Sequence, residues 1–135
     1  MSSKYLPVHD PSRRMAQEIC KDCHSQLEKW IKITNYVNKS FVYDYIRAIT
    51  IPKRGSLPDL DRCWNMHMGI CLDIASMTTG MLQAVGINAR LIFGFADRSY
   101  HAWVEAKIGD ETYRYDHENP KDNKVKKYRK IRAFK

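Results

Sequence analysis

Three residues stand where their chemistry would count. Cys71 opens a stretch with helical periodicity, His101 begins the strand-like run HAWVEAKI, and Asp116 ends the next such run, ETYRYD. A thiol, an imidazole and a carboxylate are the parts of a nucleophile, a base and an orienter. The first turn of a helix carries roughly half a positive charge and points unpaired N–H groups forward, which stabilises a thiolate and, later in a reaction, an oxyanion. An imidazole alongside favours the ionised thiol, and a carboxylate on its other nitrogen fixes the tautomer. Each residue also has a plainer reading: a cysteine as a small buried hydrophobe, a histidine as a satisfied polar group, a strand-end aspartate as a turn former. Singly, the plainer reading prevails. The three together, in this order on these elements, favour catalysis.

The elements that would position them are legible nearby. Ile70, Ile74, Met77 or Thr78, Met81, Leu82 and Val85 share one helical face, and Gly86 stands where a left-handed cap ends a helix, so the spacing predicts a helix from about Cys71 to Val85. ARLIFGFA, HAWVEAKI and ETYRYD are short and rich in β-branched or aromatic residues, with a turn at Gly109-Asp110 between the last two. They read as antiparallel strands. Alternation puts His101, Trp103 and Glu105 on one face, with Ala102, Val104 and Ala106 on the other, and the Gly109 turn brings the neighbourhoods of His101 and Asp116 opposite one another. Upstream, Met15, Ile19, Cys23, Leu27, Trp30, Ile31 and Ile33 or Thr34 recur at three and four residues, which predicts a helix of about five turns. FVYDYIRAITI is open between a short helix and an extended run. IPKRGSLPDLDRCW reads as a long loop with a turn around Lys53 to Ser56. Helices first and strands after give the α+β class, with the sheet packed on the Cys71 helix.

The runs GICLDIASMTTGMLQAVGINARLIFGF, YHAWVEA and YRYDHENP resemble the transglutaminase-like superfamily, whose signatures are a Gly-x-Cys opening a helix, a His-Ala-Trp strand and a later strand ending in Asp. YVNKSFVYDY is similar to the extended segment that bacterial members carry before the catalytic helix, and the resemblance covers about residues 15–120. It implies a papain-like fold, with N-terminal helices and a Cys-bearing helix against a small antiparallel sheet. It also implies a nucleophile at Cys71, a general base at His101 and a third triad member at Asp116. Many members follow the Asp with Pro-Thr or Pro-Ser, whereas His117 and Glu118 follow here. The activity implied is acyl transfer on peptide or amide substrates through a thioester. Water as acceptor would make the chain a cysteine peptidase or amidase, and an amine would make it transglutaminase-like. No cofactor is implied.

Around this triad the sequence offers further candidates. Trp64, Asn65 and His67 lie just upstream of Cys71; Asn65 is chemically the best amide donor for an oxyanion hole, with Trp64 beside it. Trp103 and Tyr100 either line a substrate cleft or cover the core as sheet residues, and sharing a face with His101 favours the cleft for Trp103. The competing class is an idle binding or scaffold module of the same fold.

The other cysteines have readings of their own. CKDCH (Cys20, Cys23, His24) matches the c-type haem attachment pattern, but it sits inside a helical pattern. Cys20, Cys23, Cys63 and His67 form a possible zinc set, with a mid-helix first pair and a long gap against it. Ordinary thiols are the default, or a disulfide from Cys63 to Cys20 or Cys23 in an exported protein.

The chain has 135 residues, of which 44% are hydrophobic and 28% charged, enough for one core without disulfide staples. Residues 1–135 are expected to form one domain, its core at about 15–120 and a basic segment at 121–135. The net charge of +8 is concentrated there: eight Lys and Arg against Asp122 give +7, and the rest of the chain is nearly neutral. A solvated edge strand, YRKIRAF, is therefore expected rather than a nucleic-acid footprint, and this segment is read as dispensable for the chemistry. No apolar run is long enough to cross a bilayer, and MSSKYLPVHDPSRR lacks the apolar stretch of a secretory signal. A peptide or protein substrate is the expected partner; compartment and oligomeric state are left open.

Overall fold

The computed structural model describes residues 6–50 and 57–135. Two helices lead, α1 (Asp10–Ile19) and α2 (Gln26–Ser40), followed by the two-residue strand β1 (Val42–Tyr43) and the helices α3 (Tyr45–Thr50) and α4 (Leu60–Met66). Strand β2 (Met68–Gly69) runs into α5 (Cys71–Ala84), after which come β3 (Asn88–Ala96), β4 (Ser99–Ile108), β5 (Glu111–Tyr115) and β6 (Tyr128–Phe134). The class is α+β, as expected, with the helices before the sheet.

The five-turn helix expected from residue 15 to 34 is two helices. Its apolar spacing runs through the break, but local capping overrides it: Ser25, in extended conformation, accepts the Glu28 amide at 3.1 Å, while the Glu28 carboxylate accepts the His24 amide at 2.8 Å. Such a cap contributes about 1 kcal/mol to starting a helix. FVYDYIRAITI realises both of its readings, as β1 and then α3. The YVNKS part of the segment taken as extended is helical, forming the end of α2. The expected loop from residue 51 to 64 contains α4, started by the Asp59 side chain accepting the Arg62 amide at 3.1 Å. The turn expected around Lys53 to Ser56 lies outside the described residues.

Helix α5 is the centre of the molecule. Its residues from Leu72 to Thr79 are all buried, because α1 and α2 pack on one side and β3 and β4 on the other. Ile74, Met77, Met81 and Leu82 meet Leu91 and Val104 of the sheet and Ile33 and Val37 of α2 in one core. Gly86, at φ +86°, ends the helix in the left-handed region where it was expected. The sheet is antiparallel in the order β5-β4-β3-β6, so the β3-β4-β5 meander is extended on its far side by the last strand. β1 and β2 pair in parallel, through the Val42 amide to the His67 carbonyl and the Asp44 amide to the Gly69 carbonyl, and fasten the approach to α5.

One sheet position tolerates only glycine. The β3–β6 register shifts between Phe93 and Gly94, and there a Cβ on Gly94 would collide with the Arg129 carbonyl of β6 and approach the Trp103 ring to 2.8 Å. Gly94→Ala is expected to cost about 1–3 kcal/mol by forcing β6 away from β3. A urea midpoint equal to that of the wild type would refute this.

Candidate active site

Cys71 is the first residue of α5, and its helix start is fixed by its own third residue. Asp73 is 1% exposed and accepts four hydrogen bonds: from the Ile70 amide at 3.0 Å, the Asp59 amide at 2.9 Å, and Arg47 Nε and Nη2 at 2.8 and 3.2 Å. A buried carboxylate needs such partners, and leaving one unpaired typically costs about 3–5 kcal/mol. The Asp73–Arg47 pair therefore ties α3 and the residue before α4 to the turn that presents the thiol. Packing is tight here too: a Cβ on Gly69 would meet the Asp73 Cβ at 2.8 Å.

β4 and β5 supply the other two groups. In the observed register Val104 faces Tyr115, which puts Asp116 one step beyond the ladder and diagonal to His101 on the same face. His101 Nε2 and Asp116 Oδ1 are 2.8 Å apart. The other ring nitrogen is turned towards the thiol: the ligand atoms of Cys71, His101 and Glu118 all lie within 4.8 Å of one another. The three groups singled out in the sequence thus converge, on a narrow cleft also lined by Tyr43, Tyr115, His117 and Glu118.

Asp116 has more partners than its place in the sequence indicates. Its Oδ2 accepts the Tyr128 hydroxyl at 2.8 Å, and its Oδ1 also accepts the Glu118 amide at 3.1 Å. Asn119 donates to the Tyr128 oxygen at 2.9 Å, and its carbonyl oxygen accepts the amides of Asn123 and Lys124 at 3.0 and 2.8 Å. His117 Nε2 bonds the Phe41 carbonyl at 2.8 Å. The DHEN turn that stands where many superfamily members have Pro is therefore held by its own side chains. Tyr128, Glu118 and Asn119 were missed in the sequence. Asn119, in a D-x-x-N turn before Pro120, carried a turn-forming signal; Tyr128 carried none, since its contact depends on β6 lying beside β3. Through Tyr128 the basic segment, read from the sequence as dispensable for the chemistry, touches the site by one hydrogen bond to Asp116.

The charges are mutually supporting. Burial opposes a proton on His101, but the bonds to Asp116 and Cys71 outweigh it and push its pKa up to about 10. Burial likewise works against an ionised Asp116, yet His101, Tyr128 and the Glu118 amide hold it below the usual carboxylate range. Burial raises Glu118, with His101 pulling it back down. Since the His101 pKa is raised above its unfolded value, its contribution to stability is full below about pH 6.5 and is lost as pH rises towards 10. The destabilisation caused by His101→Gln, read from urea melts, should accordingly be larger at pH 6 than at pH 10. An equal loss at both would remove the charged pairing.

The remaining candidates are placed differently. Trp103 lines the cleft with Cys71 and Asp116 but is 1% exposed, its ring packed edge-on against Tyr128 (centroids 4.9 Å apart), with its Nε1 directed to Glu105 at 3.4 Å. Tyr100 stacks on Phe93. Asn65 is exposed on α4, and Trp64 packs among Phe41, Tyr36 and His67; neither lines the cleft at Cys71. The zinc set does not assemble. All four cysteines are free thiols, and among the described residues Cys20, Cys23, Cys63 and His67 form no ligand cluster. Cys63 is fully buried against Gly69, and burial, with Asp73 adding to it, pushes its pKa up to about 12; burial and Cys23 raise Cys20 to about 11.

Solved structures with the same fold include a candidate cysteine protease from Cytophaga hutchinsonii, at TM-score 0.73 and 20% identity over 98% of this chain and 44% of that one. Legionella pneumophila LapG matches at TM-score 0.70 and 15% identity, over 96% of this chain and 85% of that one. A TGase matches at TM-score 0.60 and 14% identity, over 79% and 29%. The chain thus spans less than half of the Cytophaga protein and most of LapG. Comparison with curated protein sequences gives no match. The sequence profile of the Transglutaminase-like superfamily matches residues 13–124, which take in α5, the β3-β4-β5 meander and the turn after it. By that match the chain belongs to the transglutaminase-like superfamily.

Proposed function

We propose that this chain is a cysteine-dependent acyl-transfer enzyme acting on peptide or amide carbonyls. The observation that carries the reading is the orientation of His101, which gives Nε2 to Asp116 and turns Nδ1 towards the Cys71 thiol. Its bonds to Asp116 and Cys71 hold the imidazole protonated through neutral pH, placing a positive charge beside the attacking sulfur. The sulfur attacks the carbonyl carbon, and the oxyanion is received by amides of the first turn of α5, which have no acceptor within the helix. Backbone amides suit that role better than Asn65, which lies outside the cleft. The C–N bond then breaks as His101 gives its Nδ1 proton to the leaving amine, leaving a thioester on Cys71. His101, now neutral, takes a proton from the acceptor that attacks the thioester, and the thiolate leaves. The working unit is residues 1–135 as one domain, β6 included, and its substrate is a peptide or protein.

The test is a chloroacetamide probe, followed by a screen of amide substrates with and without a primary amine. Labelling at Cys71 in preference to Cys20, Cys23 and Cys63 supports the nucleophile. Equal labelling of all four under native conditions would sink it. Release of free acid without amine identifies a hydrolase, and incorporation of the amine identifies a transferase.

A further inference from the structure

Glu118 is not needed for the chemistry above, yet its carboxylate lies at the mouth of the cleft with Oε2 3.8 Å from His101 Nδ1. The thiol, the imidazole and this carboxylate bring three ligand atoms within 4.8 Å of one another. We propose that Cys71, His101 and Glu118 form a binding site for a divalent cation of the zinc class, and that occupancy of this site reversibly switches the thiol off.

Four features support it. Thiolate, imidazole and carboxylate are zinc's three protein donor types, with bonds of about 2.0–2.3 Å, so tetrahedral ligands lie roughly 3.4–3.6 Å apart. The His101–Glu118 pair is already at 3.8 Å, and the Glu118 side chain is 40% exposed, free to swing inward, whereas that of His101 is 10% exposed and held. The Nε2 proton is committed to Asp116 at 2.8 Å, which leaves Nδ1, once its proton is displaced, as the ring's ligand atom. A carboxylate on the far nitrogen of a ligating histidine fixes its ring and raises its basicity. Finally, three protein ligands leave the fourth tetrahedral position to water on the open side of the cleft.

Binding is balanced by loss of protons: the cation takes the sulfur as thiolate and displaces the proton from Nδ1, so affinity rises with pH. With sulfur and Nδ1 both occupied, neither the nucleophile nor the proton donor is available. Binding stands on the geometry alone; its consequence for turnover rests on the proposed acyl-transfer reading. Cys23 and Cys20 are the competing ligands in this chain and must be separated from the site.

The full chain, reduced and freed of metal, would be titrated with Co²⁺ and followed by its thiolate-to-cobalt charge-transfer and tetrahedral d–d absorption. Zn²⁺ affinity would then be read by competition with a chromophoric chelator. One equivalent should bind with a thiolate band that Zn²⁺ abolishes. Cys71→Ser should remove the band, Cys23→Ser should keep it, and Glu118→Gln should weaken Zn²⁺ by on the order of 10-fold or more while the fold melts normally. A titration with no thiolate band, a band that survives Cys71→Ser, or an unchanged affinity in Glu118→Gln would each overturn the site. A chain that binds Zn²⁺ at Cys71 but turns over no amide would leave the metal site standing and remove the enzymatic reading; active chain indifferent to Zn²⁺ would do the reverse.

Discussion

Replacement of Cys71 by serine is expected to lower amide turnover by on the order of 10⁵-fold while leaving the melting transition nearly unchanged. The effect is large because the members of such a constellation act as a unit, and removing the nucleophile alone costs about as much as removing all of it. A hydroxyl is nearly the size of a thiol, so α5 keeps its first turn and the Asp73 bonds behind it are untouched. A serine hydroxyl, however, is a far weaker nucleophile than a thiol. The residual rate would come from oxyanion stabilisation and substrate positioning alone. Substrate affinity should move little, which separates loss of chemistry from loss of binding. A serine variant retaining more than a few per cent of wild-type kcat would show that the acyl group is carried elsewhere.

Asp116→Asn should have the next largest effect, on the order of 10⁴-fold in kcat. The amide oxygen can still accept from Nε2 but carries no charge, so it gives the imidazolium far less support, and the His101 pKa should fall back from about 10 towards its ordinary value. The pH at which Cys71 labelling reaches half its maximum should change with it, a readout that a merely structural role would not move. Tyr128→Phe separates the two halves of the Asp116 carboxylate. It removes the donor to Oδ2 and keeps the ring on Trp103 and under Arg114, so kcat should fall by about 10-fold, the value of one hydrogen bond to a charged group. Full activity in Asp116→Asn would take the carboxylate out of the mechanism. Unchanged activity in Tyr128→Phe would return β6 to a purely structural part.

How much of this could be read from the residues follows from what each contact depends on. Cys71, His101 and Asp116 were legible because one helix and one hairpin, all within a single stretch of chain, bring them together; strand alternation and the Gly109 turn suffice to fix the geometry. YRKIRAF was legible as a strand for the same reason. Its role was not, because Tyr128 meets Asp116 only when β6 adds to the far side of β3, and sheet order leaves no mark in local spacing. The break between α1 and α2 was hidden by apolar periodicity that continues across it, although Ser25 and Glu28 spell a cap. α4 is short and sits between prolines and aspartates, where turn signals mask it. Asp73 read as an ordinary first-turn acid, since its partner Arg47 comes from α3, whose packing no sequence pattern specifies.

The sheet order β5-β4-β3-β6 has a consequence for how the molecule comes into being. The ladders joining β3, β4 and β5 close over tight turns, whereas the β3–β6 ladder links Leu91 to Phe134 and closes only after the long excursion past Pro120. Short closures cost less chain entropy than long ones, so local ladders zip first. The imidazole and its carboxylate are thereby brought together while the sheet is still missing its fourth strand. Until that strand docks, Trp103 lacks the Tyr128 ring and Asp116 lacks its second donor. Chain entropy thus favours an order of assembly in which the imidazole and its carboxylate meet early and acquire their shelter last.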